Sequence, residues 1–235
     1  MPQSKKPQLQ VIHNPGEPER SAPRGDLRSA PLPAEADDFD RLMDGDARRV
    51  SAIHWTPTQV CHRAAQLLAA GPGERVLDVG SGVGKLCVLG ALISQGQYVG
   101  IEQRPGLVAQ ARRLAAHVNS PAQFLEGDAF DVDWSGFQAL YFYNPFDEAR
   151  FPVSWQIDGS IPLGIDVFNQ LVQRAQDRLR GLPIGTRVVT FHGIGGPMPE
   201  GYQLVVSERI ADGTLELWRR ADSERQSCTP QSDQC

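Results

Sequence analysis

The run Asp78-Val79-Gly80-Ser81-Gly82-Val83-Gly84 carries most of the chemistry legible in this chain. Three alternating glycines free the backbone for positive φ and let a bound molecule lie against the main chain. Glu102 follows Asp78 by 24 residues, closing another apolar run. A carboxylate there is placed to accept hydrogen bonds from both hydroxyls of an adenosine ribose. Two further apolar runs end in Gly127-Asp128-Ala129 and Tyr143-Asn144-Pro145-Phe146. The Asn144 side-chain oxygen can accept from an amine or amide nitrogen. The glycine spacing is Gly80-x-Gly82-x-Gly84, and Lys85 stands where a dinucleotide fingerprint needs its last glycine. No Gly-x-x-x-x-Gly-Lys-Ser/Thr occurs, so a phosphate-cradling loop is unsupported.

These residues need elements that carry them to one place. Arg75 to Val79 reads as a buried strand, the glycines as a turn, and Lys85 to Ser94 as an apolar helix. Tyr98 to Ile101 is a second strand ending in Glu102, and Pro105 to Val118 a helix. Ala122 to Leu125 and Ala139 to Tyr143 are strands three and four. Ile165 to Leu179 is an amphipathic helix and Arg187 to Phe191 a fifth strand. Such alternation predicts a doubly wound, mostly parallel sheet with helices on both faces. Tyr202 to Ile210 and Thr214 to Arg219, joined by Ala211-Asp212-Gly213, predict a closing antiparallel hairpin. Open sheets of this kind bind ligands beyond the carboxyl ends of their strands, where the strand order reverses. All of the chemistry-bearing runs sit at such ends.

Upstream, Pro57 suits a first helical turn with Thr56 as its cap, and this helix runs to Gly71-Pro72-Gly73. Another helical pattern begins near Asp38, with Phe39, Leu42 and Met43 on one face. The domain expected is therefore 39–220, between an extension of loose order over 1–38 and a disordered tail over 221–235.

Composition bounds what this fold does. The chain has 235 residues, a net charge of -5 and 40% hydrophobic residues, enough for one core without a metal or a disulfide framework. The negative charge argues against a broad basic surface for nucleic acid. No apolar run reaches the length of a membrane span and the first residues lack a signal-peptide core, so a cytoplasmic location is the expectation. The four cysteines and five histidines form no cluster with metal-ligand spacing, so no metal is expected. Cys61 and Cys87 fall in apolar helical patterns; Cys228 and Cys235 lie in the tail, where a regulatory disulfide is conceivable.

Val76-Leu77-Asp78-Val79-Gly80-Ser81-Gly82-Val83-Gly84 resembles the first motif of class I S-adenosylmethionine-dependent methyltransferases. Val99-Gly100-Ile101-Glu102 resembles their second strand with its ribose-binding acid, Gly127-Asp128-Ala129 their adenine-contact segment, and Tyr143-Asn144-Pro145-Phe146 their substrate-facing motif. The terminal hairpin matches their seven-stranded sheet, and the likeness covers roughly 56–220. It implies S-adenosylmethionine as cofactor and S-adenosylhomocysteine as product. Asp78 would orient the turn and the cofactor's amino-acid end. Gly80, Ser81, Gly82 and Gly84 would form its cradle, Glu102 would hold the ribose, and Gln103 would pack beside the adenine. Asp128 would accept from the adenine amino group and Ala129 donate to the ring. Asn144 and Tyr143 would be catalytic, Asn144 also touching the cofactor, with Pro145 and Phe146 against the acceptor.

Related enzymes acting on exocyclic or amide nitrogens carry two prolines after the Asn or Asp; this chain carries one, which argues against bases and glutamine amides as acceptors. The segment Asp78 to Lys85 with Trp55-Thr56-Pro57-Thr58 resembles non-SET protein lysine methyltransferases. A nitrogen of a protein side chain or small molecule is the expected acceptor, with small-molecule oxygens as the open alternative. Methyl transfer is an in-line displacement whose reagent arrives activated, so alignment matters more than an acid–base dyad. Tyr141 and Tyr143 share one strand face, His192 follows the fifth strand as a candidate proton acceptor, and the apolar segment 147–162 suggests a lid or acceptor wall. Two other readings stay open: a nicotinamide-dependent oxidoreductase, and a cofactor-binding module without activity that regulates a partner.

Overall fold

The structure, a computed structural model, describes residues 54–68 and 71–222. The expected helix near Asp38, the extension 1–38 and the cysteines of the tail lie outside these residues. The elements are α1 (Thr58–Leu68), β1 (Arg75–Val79), α2 (Lys85–Ile93), β2 (Gln97–Glu102), α3 (Pro105–His117), β3 (Gln123–Glu126), β4 (Ala139–Tyr143), α4 (Ile165–Arg180), β5 (Arg187–Phe191), β6 (Tyr202–Ile210) and β7 (Gly213–Arg220). Short 3₁₀ turns punctuate the long β3–β4 and β4–α4 connections.

The seven strands order as β3-β2-β1-β4-β5-β7-β6. β1 to β5 are parallel; β7 inserts antiparallel between β5 and β6. The chain winds outward from β1 to β3, then returns to place β4 on the other flank of β1. That reversal is the topological switch point where such sheets open a crevice. β1 and β4 are almost wholly buried because both of their faces are covered.

The sheet divides the interior into two cores. One joins Val76, Tyr98, Tyr141, Val189 and Phe191 to the apolar faces of α1, α2 and α3. The other joins Leu77, Val79, Ile101, Leu140 and Phe142 to Phe130, Trp134 and α4. Alternate residues of one strand thus feed opposite layers, as the two-residue period requires. Helix α4 buries Phe168, Val172, Ala175 and Leu179, a stripe with helical spacing. Thr56 directs its hydroxyl to the Tyr141 hydroxyl at 3.2 Å, tying the chain before α1 to the middle of the sheet. No helix among the described residues is long and apolar enough to cross a membrane, and no group of His, Cys, Asp and Glu among them is arranged to hold a metal ion.

Candidate functional site

A cavity of about 300 Å³ opens over the carboxyl ends of β1, β2 and β4. Gly80 and Gly82 line it from β1, Glu102 and Gln103 from β2, Asp128 and Ala129 from the segment after β3, and Tyr143, Asn144, Pro145 and Phe146 from β4. Four runs far apart in sequence therefore meet at the switch point.

The glycine turn is fixed before any ligand arrives. The N–H groups of Gly80 and Ser81 both donate to the Ile101 carbonyl at 3.0 Å. The three glycines share positive φ (73°, 53° and 78°), but they solve different problems. A Cβ on Gly82 would fall 2.5 Å from the Trp55 ring, and one on Gly80 would touch the Pro145 Cβ at 3.0 Å. A Cβ on Gly84 would fall 2.4 Å from the Phe124 ring and 2.9 Å from Ala111. Gly80 and Gly82 line the cavity with Pro145 and the buried Trp55 ring packed against them, whereas Gly84 lies wholly in the packed core.

Asp78 and Ser81 also stand behind the cavity wall. The Ser81 side chain lies over Gly100, where a Cβ would come within 2.5 Å of its Oγ. Asp78 points toward α2 and accepts from the Cys87 thiol at 3.5 Å. Burial pushes the Asp78 carboxyl up to about 7; the Cys87 hydrogen bond opposes this and the charge of Glu102 adds to it. The lining residues among the expected set are thus Gly80, Gly82, Glu102, Gln103, Asp128, Ala129, Tyr143, Asn144, Pro145 and Phe146.

Glu102 is the electrostatic hinge of the site. Its Oε2 accepts from the Gly82 N–H at 3.2 Å and its Oε1 from the Arg104 N–H at 2.9 Å. One carboxylate therefore fastens the loop after β1 to the loop after β2, with the Gln103 main chain as a further donor to it. Burial pushes this carboxyl up, while those main-chain donors and the Arg104 charge pull it back. Asp128 acts as a local cap, accepting from the Phe130 N–H at 2.9 Å, and pairs with Arg174 at 3.4 Å. Arg174 in turn lies 4.0 Å over the Phe130 ring.

The β4 end is built from side chains. Pro145 rests on Gly80. Asn144, at φ 24°, donates its main-chain N–H to the Phe191 carbonyl at 3.3 Å and its Nδ2 to Asp147 Oδ2 at 3.1 Å. Tyr143 packs against Phe191 and His192, with ring centroids 5.3 Å and 5.9 Å away. Burial, aided by the charges of Asp212 and Asp147, pushes its phenol up to about 12. Tyr143 therefore keeps its proton at neutral pH where it lines the cavity. Tyr141 lies in the core. His192 stands outside the cavity lining, 3.9 Å from Asp212.

Segment 147–162 covers the cavity with Phe151, Ile157, Ile161 and Pro162. Arg104 holds it down: its guanidinium bonds Glu148 at 3.0 Å and Asp158 at 3.1 Å. The Ile157 N–H also donates to Glu148, at 2.7 Å. His54 donates through Nε2 to the Trp155 carbonyl at 2.8 Å, so the chain before α1 meets the same segment. Sequence reasoning missed Arg104, Glu148 and Asp158 as a unit, because charged residues in irregular segments read as solvated.

Comparison with known proteins gives the same architecture. The family model described as a methyltransferase domain matches residues 70–149, which include the glycine turn, Glu102 and Asn144. An RNA methyltransferase from Salinibacter ruber, crystallised with S-adenosyl-L-homocysteine, superposes with a TM-score of 0.53 at 22% identity, covering 72% of this chain and 94% of that one. A methyltransferase from Geobacter sulfurreducens gives 0.53 at 16% identity, over 80% and 92%. A variant of MtNAS crystallised with S-adenosylmethionine gives 0.52 at 13% identity, over 79% and 71%. At these identities the likeness is one of fold. No curated protein sequence matches the chain.

Proposed function

We propose that the chain, whose residues 70–149 match a methyltransferase domain and whose fold is shared with a methyltransferase crystallised with S-adenosyl-L-homocysteine, is a class I S-adenosylmethionine-dependent enzyme that methylates a nitrogen of a protein side chain or small molecule. The observation that carries this reading is the meeting of Pro145 with Gly80, 3.0 Å from a Cβ built there, which sets Asn144 beside the glycine turn in one cavity.

The residues present fit the cofactor. Gly80 and Gly82 bring bare main chain to the cavity wall, and Glu102 lines it beside them as an acceptor for vicinal hydroxyls. Gln103, Ala129 and Phe130 give the flatter walls that a purine needs. Asp78 would act from behind the turn, and Ser81 and Gly84 would shape it without contact. When bound, S-adenosylmethionine supplies an electrophilic methyl group on sulfur.

The chain's own work is alignment and desolvation. Asn144 accepts an N–H of the incoming nitrogen and leaves its lone pair directed at the reacting carbon. Phe146, Phe151 and Ile157 keep water away, which favours an uncharged amine over its ammonium form. Tyr143 contributes an O–H donor that stays protonated. The test is label transfer from methyl-labelled cofactor to a panel of primary amines, lysine-containing peptides, alcohols and thiols. Transfer to amines and peptides alone supports the reading. Transfer to alcohols or thiols with equal efficiency, or to none of the panel while S-adenosylhomocysteine binds, counts against nitrogen.

A further inference from the structure

We propose that Asp147 is a positioning residue: it fixes which branch of the Asn144 amide meets the acceptor, and so selects nucleophiles that still carry an N–H in their reactive form. The proposal rests on the nitrogen reading above and deepens it.

An ionised carboxylate only accepts hydrogen bonds. Asp147 Oδ2 lies 3.1 Å from the outer atom of the Asn144 amide, so that atom is the nitrogen. An amide's oxygen and nitrogen are otherwise interchangeable by shape, and it is the partner that decides between them. Asn144 lines the cavity, and with Nδ2 held at Asp147 the branch that this contact leaves unengaged is Oδ1, the amide's acceptor. Asp147 cannot easily release its hold. Its Oδ1 takes a hydrogen bond from the Arg150 guanidinium, and Arg150 lies 4.3 Å over the Phe168 ring of α4. Its main-chain N–H donates to the Asn144 carbonyl at 3.0 Å, closing the turn that joins the two residues. The Asp147 side chain is 17% exposed, so the contact is shielded from competing water.

The chemical consequence separates acceptor classes. A neutral primary or secondary amine keeps at least one N–H beside the lone pair that attacks, and that N–H can bond Oδ1 without loss of nucleophilicity. An alkoxide, phenolate or thiolate has no proton left to offer. Facing Oδ1, it meets a lone pair instead of a donor. Were the amide reversed, Asn144 Nδ2 would favour those anions. Asp147 lines the same cavity; its influence on the preference runs through the Asn144 amide that it holds.

The test needs no identified acceptor. In sinefungin an amine-bearing carbon replaces the methylsulfonium of the cofactor, so its nitrogen stands where the transferred methyl would be and its N–H groups point to the acceptor side. The quantity read by calorimetry is the ratio of sinefungin to S-adenosylhomocysteine affinity. The expected ratio for the wild-type chain is about 10 in favour of sinefungin. Asp147→Asn should bring it down about fivefold, because an amide partner no longer dictates orientation. Asn144→Gly, chosen because φ 24° suits glycine, should lower it as far. Adding Asp147→Asn to Asn144→Gly should then change the ratio less than about twofold.

That non-additivity is the signature of action through Asn144, and a direct pull of the Asp147 charge on the analogue's amine would not show it. Full additivity overturns the proposal, as does a wild-type ratio near unity. Loss of S-adenosylhomocysteine binding in Asp147→Asn would make Asp147 a scaffold residue and also overturn it. If the wild-type chain fails to bind S-adenosylhomocysteine at all, the cofactor site itself has failed.

Discussion

The two flanks of the cavity are built by different means. On the β1–β2 flank, main-chain groups do the work: two glycines clear a path, and Glu102 ties Gly82 to Arg104 through backbone donors. On the β4–α4 flank, side chains do it: Asn144, Asp147 and Arg150 form one chain of contacts, and Arg104, Glu148 and Asp158 another. A main-chain site tolerates little change and suits a ligand that never varies. A side-chain site can be rebuilt residue by residue and suits the acceptor, which differs between enzymes of one fold.

The largest test of this contrast lies within the glycine turn. Gly82→Val places a branched side chain against the buried Trp55 ring at positive φ; it should lower stability and, in the folded fraction as well, abolish S-adenosylhomocysteine binding. Gly84→Val meets Phe124 and Ala111 and should lower stability by about 3 kcal/mol or more. Its surviving folded fraction should still bind. Thermal unfolding beside calorimetry distinguishes the two. Equal loss of binding in both would erase the distinction between a ligand glycine and a packing glycine.

On the other flank, Arg104→Met strands Glu148, whose side chain is only 11% exposed. The expected cost is about 2–4 kcal/mol, below a fully buried pair because Asp158 is 46% exposed. Hydrogen exchange at the Ile157 amide, which donates to Glu148, should quicken at least tenfold. Unchanged exchange would mean that Arg104 does not hold the segment.

A subtler effect concerns pH. The Asp78 carboxyl titrates near 7 in the fold against 3.8 for an unhindered one. The folded chain thus holds a proton that the unfolded chain gives up. Its contribution is fully present below about pH 4 and drains away as pH rises to 7, by an amount on the order of 4 kcal/mol. Asp78→Asn should remove that slope and raise the melting temperature at pH 8. A slope that persists in the variant would assign it to another group. The smallest effect expected is at Arg63 and Glu208, which pair at 2.6 Å with both side chains about a third exposed. Arg63→Gln should cost less than about 0.5 kcal/mol and leave binding untouched; a larger loss would show that α1 and β6 are coupled to the site.

The same contrast explains what could be read in advance. The sheet, its hairpin and the β1–β2 flank were legible, because alternation and glycine spacing report backbone requirements directly. Even there, one motif concealed three tasks. Gly80, Gly82 and Gly84 look alike in sequence, and only the positions of Pro145, Trp55 and Phe124 separate them. Ser81 and Asp78 sit in the motif but face away from the cavity, since neighbouring residues of a strand and its turn point to opposite layers. On the β4 flank the sequence showed Asn144 and an apolar segment, but not their fastening. Arg104 reaches partners 44 and 54 positions on, and no local period announces such a contact. Asp147, three residues from Asn144, was within reach of an Asx-turn argument.

The account stands most directly on calorimetric titration of the wild-type chain and Glu102→Ala with S-adenosylhomocysteine, beside NADH. The prediction is selective binding of S-adenosylhomocysteine, weakened by about 30-fold or more in the variant, since two hydroxyl bonds to a charged acceptor are lost. Absence of S-adenosylhomocysteine binding, or a preference for NADH, would contradict it.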